Sequence, residues 1–468
     1  MGQSIRQSET WISSVKVEGL HNRLSFELDF QQGINIVYGK NGIGKTTLLH
    51  IIANLSEVDI DRFHYLSFKS IIVESSGGSS VRLEKTEGIT SVYINDQKTS
   101  YDFVGKVDLS DLERQSLRSV VGERATYLPA FRSVLERMRE GSYNYEERST
   151  PEFDVLQQIE AQAFRSVRSG ERLLRRQVSL IDSNVFKTLR CRQWFGAFVP
   201  IIRYPSITDV TSGLNDEWSN AQVAISRGEQ RQFEAAFVEI FSAIVKGDTN
   251  NDEQDQGRLL DEIKALGSFD EVPVQGPAKL SAYIDLVTIA EQSISSDRNY
   301  NKVLEIYRDK LRDRKHEREI VLSPITAFQG SVNEFLSGKL LRIASRMPRP
   351  SSNARPSSVF IEPSVGSAYA ISALSSGERQ IVTMLYSASR SPFRDGCCLI
   401  DEPELSLHVD WQRIILNHIE RQHQGRQVIA CTHSPEVGAD HDGRVQFFTP
   451  TVVAIGGDDI DQDESSGL

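Results

Sequence analysis

The segment Gly39–Thr46 has the residue types of a phosphate-binding loop. Its pattern is Gly-x-x-x-x-Gly-Lys-Thr, and it lies between an apolar run, Ile34–Tyr38, and a helical pattern. Glycines let backbone N–H groups surround phosphate oxygens, the lysine places a charge on the β- and γ-phosphates, and the threonine hydroxyl completes the shell of Mg²⁺. The segment therefore predicts a nucleotide site. We assign nucleotide binding to Gly39, Asn41, Gly42, Gly44, Lys45, Thr46 and Thr47.

Two adjacent carboxylates, Asp401 and Glu402, end another apolar run. An acidic residue at the end of a buried strand completes the magnesium site of such nucleotide-binding proteins, so we expect Asp401 and Thr46 to hold Mg²⁺. Glu402 is the candidate general base, provided that it lies within hydrogen-bond reach of the attacking water. For an isolated pair, solvated acids at a strand end would be the simpler interpretation. The phosphate-binding loop elsewhere in the chain favours the catalytic one.

Two further motifs flank the apolar run before Asp401, which has the pattern of a Walker B strand. The segment Ala373–Gln380, with the sequence Ala-Leu-Ser-Ser-Gly-Glu-Arg-Gln, precedes it, and Thr432–Pro435, with the sequence Thr-His-Ser-Pro, follows it. Together with the acidic segment Asp401–His408, this set resembles the RecF-like and OLD-like ABC-type ATPases, which are related to SMC proteins. The resemblance covers roughly residues 11–105 and 325–450.

The resemblance implies how the motifs act. In ABC-type ATPases two heads sandwich two ATP molecules, each bound by the phosphate loop of one head and the signature segment of the other. Ser375, Ser376 and Gly377 would then contact the γ-phosphate held at Lys45 of a second copy, and His433 would sense that phosphate. It follows that ATP and Mg²⁺ are the expected cofactors, and a homodimer or higher homo-oligomer through the heads is the expected assembly. The expected catalytic residues are Lys45, Glu402 and His433.

One part of the ABC-type pattern is missing. No Q-loop glutamine is obvious, and the segment Tyr127–Arg132 occupies its place. Two interpretations of Arg132 stay open from the sequence, since the side chain could face phosphate or cap a helix.

The fold class predicted by these motifs is α/β, an ABC-type ATPase head split by a mainly helical insertion. The predicted parts are residues 1–107 with the phosphate loop, 108–324 as the insertion, 325–456 with the signature, Walker B and switch histidine, and 457–468 as an acidic disordered tail. Prolines such as Pro200 and Pro324 interrupt the insertion, so we expect a compact helical domain or a short hairpin rather than a long coiled coil.

A basic segment lies within the insertion. Residues 161–203 hold nine basic and two acidic side chains, a net charge of +7 in a chain whose net charge is −11. The segment Arg165–Arg203 could contact DNA phosphates, dock an acidic partner or form a solvated helix face. Beside it, Trp194 and Phe195 favour a buried helix contact over stacking on bases.

Composition bounds the class of protein and its compartment. The chain of 468 residues has a globular composition, with 39% hydrophobic and 25% charged residues. It contains four cysteines, its start is polar, and no stretch approaches the length of a membrane span. We therefore expect a soluble cytoplasmic protein with no membrane contact.

The expected function depends on whether the ATPase head is followed by a nuclease domain of its own. Only about 35 residues follow Ser434, too few for the nuclease domain that OLD-type proteins carry. The chain thus resembles the ATPase components of two-gene anti-phage systems of the PARIS and Septu types. That resemblance implies that it controls a separate effector, a nuclease, in antiviral defence. The alternative is a RecF/SMC-like DNA-repair ATPase that clamps duplex DNA.

Overall fold

A computed structural model describes most of the chain and divides it into two units. The described residues are 10–99, 111–135, 138, 151–165, 174–246, 256–267, 298–344, 357–390, 396–423 and 426–452. Unit 1 comprises Met1–Ser206 and Gln380–Leu468, and unit 2 comprises Ile207–Arg379. These units divide the chain at positions other than the predicted domain boundaries, which stay a prediction. The acidic tail at 457–468 lies outside the described residues.

The described chain contains strands and helices in mixed order. The strands are β1 (Ile12–Leu20), β2 (Leu24–Asp29), β3 (Ile34–Tyr38), β4 (Ser70–Ser75), β5 (Ser80–Thr86), β6 (Ile89–Ile94), β7 (Gln97–Thr99), β8 (Thr126–Leu128), β9 (Lys339–Ile343), β10 (Val359–Pro363), β11 (Cys398–Asp401), β12 (Val428–Thr432), β13 (Val445–Phe447) and β14 (Thr451–Val452). The helices are α1 (Lys45–Glu57), α2 (Asp111–Val121), α3 (Arg132–Leu135), α4 (Pro151–Arg165), α5 (Leu174–Phe195), α6 (Ile207–Lys246), α7 (Gln256–Gly267), α8 (Arg298–Asn333), α9 (Ser376–Arg390) and α10 (Val409–His423).

A parallel sheet forms the centre of unit 1. Its five strands lie in the order β13-β3-β12-β11-β8, and all four pairings are parallel. The two strands β11 and β12 are buried at every position, as expected for continuous apolar runs that are covered on both faces. The predicted α/β fold class is confirmed, since helices lie between the strands of this parallel sheet in the sequence.

An antiparallel sheet contains the other described strands of unit 1. Its seven strands lie in the order β14-β2-β1-β4-β5-β6-β7. Apolar and polar residues alternate along β5 and β6, and the apolar Val81, Leu83 and Val92 are buried.

Three basic side chains of the segment Arg165–Arg203 have their polar contacts inside unit 1. Lys187, Arg192 and Arg203 are buried or nearly so, and each donates to a protein acceptor. These three charges are therefore structural and are not presented to DNA. The buried contact expected for Trp194 and Phe195 is wrong, because the two side chains are 50% and 47% exposed.

Unit 2 is built around two long helices. Helix α6 has 40 residues, which corresponds to about 60 Å, and α8 has 36 residues. They run antiparallel, since Arg314 pairs with Glu229 at 3.0 Å and Lys310 with Glu239 at 2.8 Å. The expectation of a compact domain or a short hairpin is therefore wrong.

Helix α8 continues through Pro324 because a neighbouring side chain replaces the hydrogen bond that proline cannot make. Pro324 lies inside the helix and has no N–H for the carbonyl of Ile320, four residues earlier. The hydroxyl of Ser323 donates to that carbonyl oxygen at 3.0 Å and replaces the missing bond. None of the helices in the described part of the chain is long and apolar enough to cross a membrane.

Candidate nucleotide-binding site

The predicted site residues of unit 1 meet at one edge of the parallel sheet. Strands β3, β12, β11 and β8 are neighbours in that order. The phosphate loop follows β3, His433 follows β12, and Asp401 ends β11. Because parallel strands end on the same side, the sheet brings these segments together at its carboxyl edge, where open α/β sheets bind ligands.

The glycines of the phosphate loop are required by its backbone. Gly42 and Gly44 have φ angles of 78° and 104°, in the region that favours glycine. A Cβ on Gly39 would lie 2.6 Å from the side chain of Ile43. The Gly39 N–H donates to the carbonyl of Thr432 at 3.1 Å, which ties the loop to the end of β12.

Lys45 begins α1 and points back into the loop. Its Nζ donates to the carbonyl oxygens of Gly39 at 2.7 Å and Lys40 at 2.9 Å, and the residue is 5% exposed. The positive end of the α1 dipole and this ammonium lie at the same place, which suits an anion. Of the other assigned positions, Asn41 is exposed in the turn before α1 and Thr47 is half-buried in its first turn.

Thr46 and Asp401 are brought together from positions 355 residues apart. The Thr46 Oγ1 donates to the Asp401 carboxylate, at 2.9 Å to Oδ2 and 3.2 Å to Oδ1. Asp401 is 1% exposed, and burial raises its pKa to about 6. A hydroxyl and a buried carboxylate are hard oxygen donors, the type that Mg²⁺ prefers, so this pair fits a magnesium site completed by water and phosphate oxygens.

Glu402 and His433 lie side by side at the same edge. The Nδ1 of His433 is 3.6 Å from Oε1 of Glu402 and 3.0 Å from Oε1 of Glu404. Glu402 is 22% exposed and His433 is 42% exposed, so both side chains reach solvent. Both polar groups can therefore reach a ligand or water bound at the edge.

Glu404 is a site residue that the sequence prediction missed. It is 6% exposed, and its Oε1 accepts from the Thr432 hydroxyl at 2.6 Å and from the backbone N–H groups of His433 at 2.9 Å and Ser434 at 3.1 Å. Glu404 thus fixes the backbone around His433. Its place in the acidic segment after the Walker B strand was the available signal.

Arg132 was noticed in the sequence, but both interpretations of it are wrong. The side chain is 0% exposed and donates to three backbone carbonyls, those of Pro129 at 2.9 Å, Asp401 at 2.8 Å and Glu402 at 2.7 Å. It binds the turn that carries the two carboxylates.

The signature residues Ser375, Ser376 and Gly377 belong to unit 2. Glu378 accepts from the Ser375 N–H at 2.9 Å, and its own N–H donates to Oγ of Ser375 at 3.4 Å. This reciprocal pair is a capping box that starts α9. The Lys339 ammonium also pairs with Glu378, at 2.8 Å, and that contact leads the causes that hold the pKa of Lys339 above its usual value. The sheet edge of unit 1 and these residues are thus parts of different units.

One family of known proteins matches a large part of the chain. Residues 213–440 match the family described as "AAA domain, putative AbiEii toxin, Type IV TA system". The matched range includes the signature segment, both carboxylates and His433, and it begins after the phosphate loop. Similarity to this ATPase domain supports an ATP-hydrolysing ABC-type ATPase as the activity class of the chain.

Other similarities are shorter or more distant. A segment of 41 residues, 9% of this chain, is 49% identical to the DNA double-strand break repair Rad50 ATPase of Methanopyrus kandleri, and it spans 5% of that protein's length. The Smc head domain with an extended coiled coil from Pyrococcus furiosus has a TM-score of 0.40 and 12% identity, with 95% of this chain and 96% of that chain covered. The Smc head domain with a coiled coil and joint from Pyrococcus yayanosii has the same TM-score and identity, covering 96% and 97%.

Proposed function

We propose that this chain binds ATP with Mg²⁺ and hydrolyses it at the carboxyl edge of the parallel sheet. The observation that carries the proposal is the hydrogen bond of 2.9 Å from Thr46 Oγ1 to Asp401 Oδ2. Glu402 and His433 lie beside this pair. A phosphate loop, a magnesium pair and a candidate base at one sheet edge are the parts that phosphoryl transfer to water needs.

Each residue has a defined part in the proposed reaction. The loop N–H groups and Lys45 hold the phosphates, and Lys45 exchanges its two carbonyl acceptors for phosphate oxygens. When bound through Thr46 and Asp401, Mg²⁺ neutralises charge on the β- and γ-phosphates. Glu402 takes a proton from the attacking water. His433 donates to the γ-phosphate, while Glu404 holds the backbone of His433.

The proposed assembly is a homodimer or higher homo-oligomer through the ATPase heads. The Ser375–Gly377 segment of one copy would close over the γ-phosphate bound at Lys45 of another. The capping box at Ser375 and Glu378 supports this, because it fixes the start of α9, and the positive end of a helix dipole suits an anion.

The substitution Lys45→Ala tests nucleotide binding. Removal of the ammonium should weaken binding of a fluorescent ATP analogue by at least about 100-fold and abolish hydrolysis. Lys16→Ala is the matched control, since Lys16 is on β1 and, among the described residues, forms an ion pair with the exposed Glu27. Equal ATP affinity in Lys45→Ala and wild type would refute the site.

We further propose that the ATPase acts in the cytoplasm and controls a separate effector, a nuclease, in antiviral defence. The support is the description of the matched family, which names a toxin of a type IV TA system. A tagged chain, expressed with its neighbouring genes and purified, should retain a stoichiometric nuclease that mass spectrometry identifies. Purification of the ATPase alone under every nucleotide condition would contradict this role.

The second candidate is an ATPase that clamps duplex DNA. The similarity of a 41-residue segment to a DNA double-strand break repair ATPase favours it. The burial of three basic side chains weighs against it, because Arg192 and Arg203 pair with carboxylates inside unit 1 and Lys187 donates to a backbone carbonyl there. Retention of circular duplex DNA that requires ATP and is lost on linearisation would support the clamp over effector control.

A further inference from the structure

The turn after the Walker B strand has an unusual backbone. Glu402 has a φ of 47°, in the left-handed region that is strained for a residue with a Cβ. A residue in this conformation persists only when its surroundings hold it. The direction of the Glu402 carboxylate depends on this conformation, since the side chain leaves the backbone at the strained position.

Hydrogen bonds hold Glu402 on both sides. Its N–H donates to the carbonyl of Cys431 at 2.8 Å, on the neighbouring strand β12. Its carbonyl accepts from Arg132 at 2.7 Å and from the N–H of Leu405 at 3.2 Å. The same guanidinium also donates to the carbonyl oxygen of Asp401, so one buried side chain fixes two consecutive peptide groups.

A guanidinium is suited to this task. It is planar and presents several N–H donors in a rigid fork, so it can hold several carbonyls at fixed relative positions. The three acceptors of Arg132 are uncharged carbonyl oxygens, and one of them belongs to Pro129, the residue after strand β8. Arg132 therefore links the segment after β8 to the turn that follows β11. A residue 270 positions away in the sequence thus holds the backbone of the candidate base.

We infer that Arg132 is a positioning residue that holds Glu402 in the geometry for water activation. The inference rests on the proposed ATPase function. Arg132 is fully buried and acts through the backbone of Glu402. Its loss should therefore lower the rate of hydrolysis and leave ATP binding almost unchanged.

The test compares Arg132→Lys and Arg132→Gln with wild type in single-turnover hydrolysis and ATP-analogue binding. Lysine keeps the charge and loses the fork. Because a displacement of about 1 Å can cost about 100-fold in rate, we expect hydrolysis to fall by about 30- to 100-fold in Arg132→Lys, with ATP affinity changed by less than about threefold. Arg124→Lys is the matched control. Arg124 is also buried and pairs with Glu57 at the far end of α1, so this variant should lose stability but keep the rate within about threefold.

A double-mutant cycle separates positioning from general structural support. If Arg132 acts through Glu402, adding Arg132→Lys to Glu402→Gln should change the residual rate by less than about twofold. The inference would be overturned if the two substitutions lowered the hydrolysis rate independently, so that their effects multiplied in the double variant. A fall in ATP affinity that parallels the fall in rate would also overturn it. If Arg132→Gln fails to fold, Arg132→Lys decides alone. Absence of hydrolysis in wild type would refute the proposed function, and the inference with it; hydrolysis by Arg132→Lys at the wild-type rate would refute the inference alone.

Discussion

The two ends of helix α1 hold their buried carboxylates in opposite ways. At its C-terminal end, burial alone would raise the pKa of Glu57, but Arg203 and Arg124 lower it below the usual value. At its N-terminal end, Asp401 lies beside Thr46, and burial raises its pKa to about 6. The first carboxylate is neutralised by cations of the chain, whereas the second has a neutral hydroxyl as its closest partner.

This difference distinguishes a structural charge from a functional one. The cluster at the C-terminal end is satisfied internally, since Arg203 also pairs with Glu160, which is 0% exposed. Among the described residues, the side chain that donates to the Asp401 carboxylate is the neutral hydroxyl of Thr46, so a divalent cation would relieve the cost of its burial. The comparison predicts that substitutions at the two ends change different properties.

The largest effect should follow from Asp401→Asn. Hydrolysis should fall by about 1,000-fold, or about 4 kcal/mol in the barrier, because the amide removes the charge of the magnesium site. Stability should rise. The pKa of Asp401 is higher in the folded than in the unfolded state, so at pH 8 the ionised carboxylate costs up to about 3 kcal/mol that the amide avoids. Urea unfolding in EDTA measures this, and a destabilised Asn variant would contradict the comparison.

Glu160→Gln should give the opposite pattern. Glu160 accepts from Arg203 and from Asn184, and the substitution leaves the buried guanidinium of Arg203 without one of its two carboxylates. We expect a loss of about 3 kcal/mol in the free energy of unfolding, with hydrolysis by the folded protein within about threefold of wild type. Denaturant unfolding and a rate measured well below the melting temperature provide the two values. A specific loss of hydrolysis without a loss of stability would remove the distinction between the two ends.

The smallest effect concerns the middle of α1. His50 is buried against the Tyr127 hydroxyl at 2.9 Å, and burial lowers its pKa to about 3. The unfolded state therefore binds the extra proton between pH 6.5 and 3, so stability is present above pH 6.5 and is lost as pH falls. From pH 7.5 to 5.5, wild type should lose about 1 kcal/mol more than His50→Gln. His64→Gln is the control substitution, since His64 is exposed.

Local patterns predicted much of the fold and the site. The strand β3, the phosphate loop and the helix α1 follow from a short apolar run, glycine placement and a helical pattern, and the structure has them at the expected positions. Asp401 was found because a carboxylate that ends a buried strand is a local signal. The meeting of Thr46 with Asp401 then follows from parallel strands that end at one edge.

The features that the sequence could not predict depend on contacts between residues far apart in the chain, or on a side chain that replaces a missing backbone hydrogen bond. From the sequence, Arg132 was interpreted as a phosphate ligand or a helix cap. Its role in holding the turn could not be predicted, because two of its acceptors are backbone carbonyls 269 and 270 residues away. The basic segment looked like a surface, since its counter-charges Glu57 and Asp59 lie more than 130 residues earlier. Pro324 looked like a break, because the bond from Ser323 to Ile320 cannot be seen in a proline count.

The most direct test of the central claim is the single-turnover rate of ATP hydrolysis by Glu402→Gln, with Mg²⁺ and saturating ATP. Glutamine keeps the size of the side chain and cannot take the proton from water. We predict that hydrolysis falls by at least about 100-fold while ATP affinity stays within about threefold of wild type. Glu74→Gln is the control, since Glu74 is exposed on β4 and accepts from Ser14. Hydrolysis by Glu402→Gln at the wild-type rate would contradict the account.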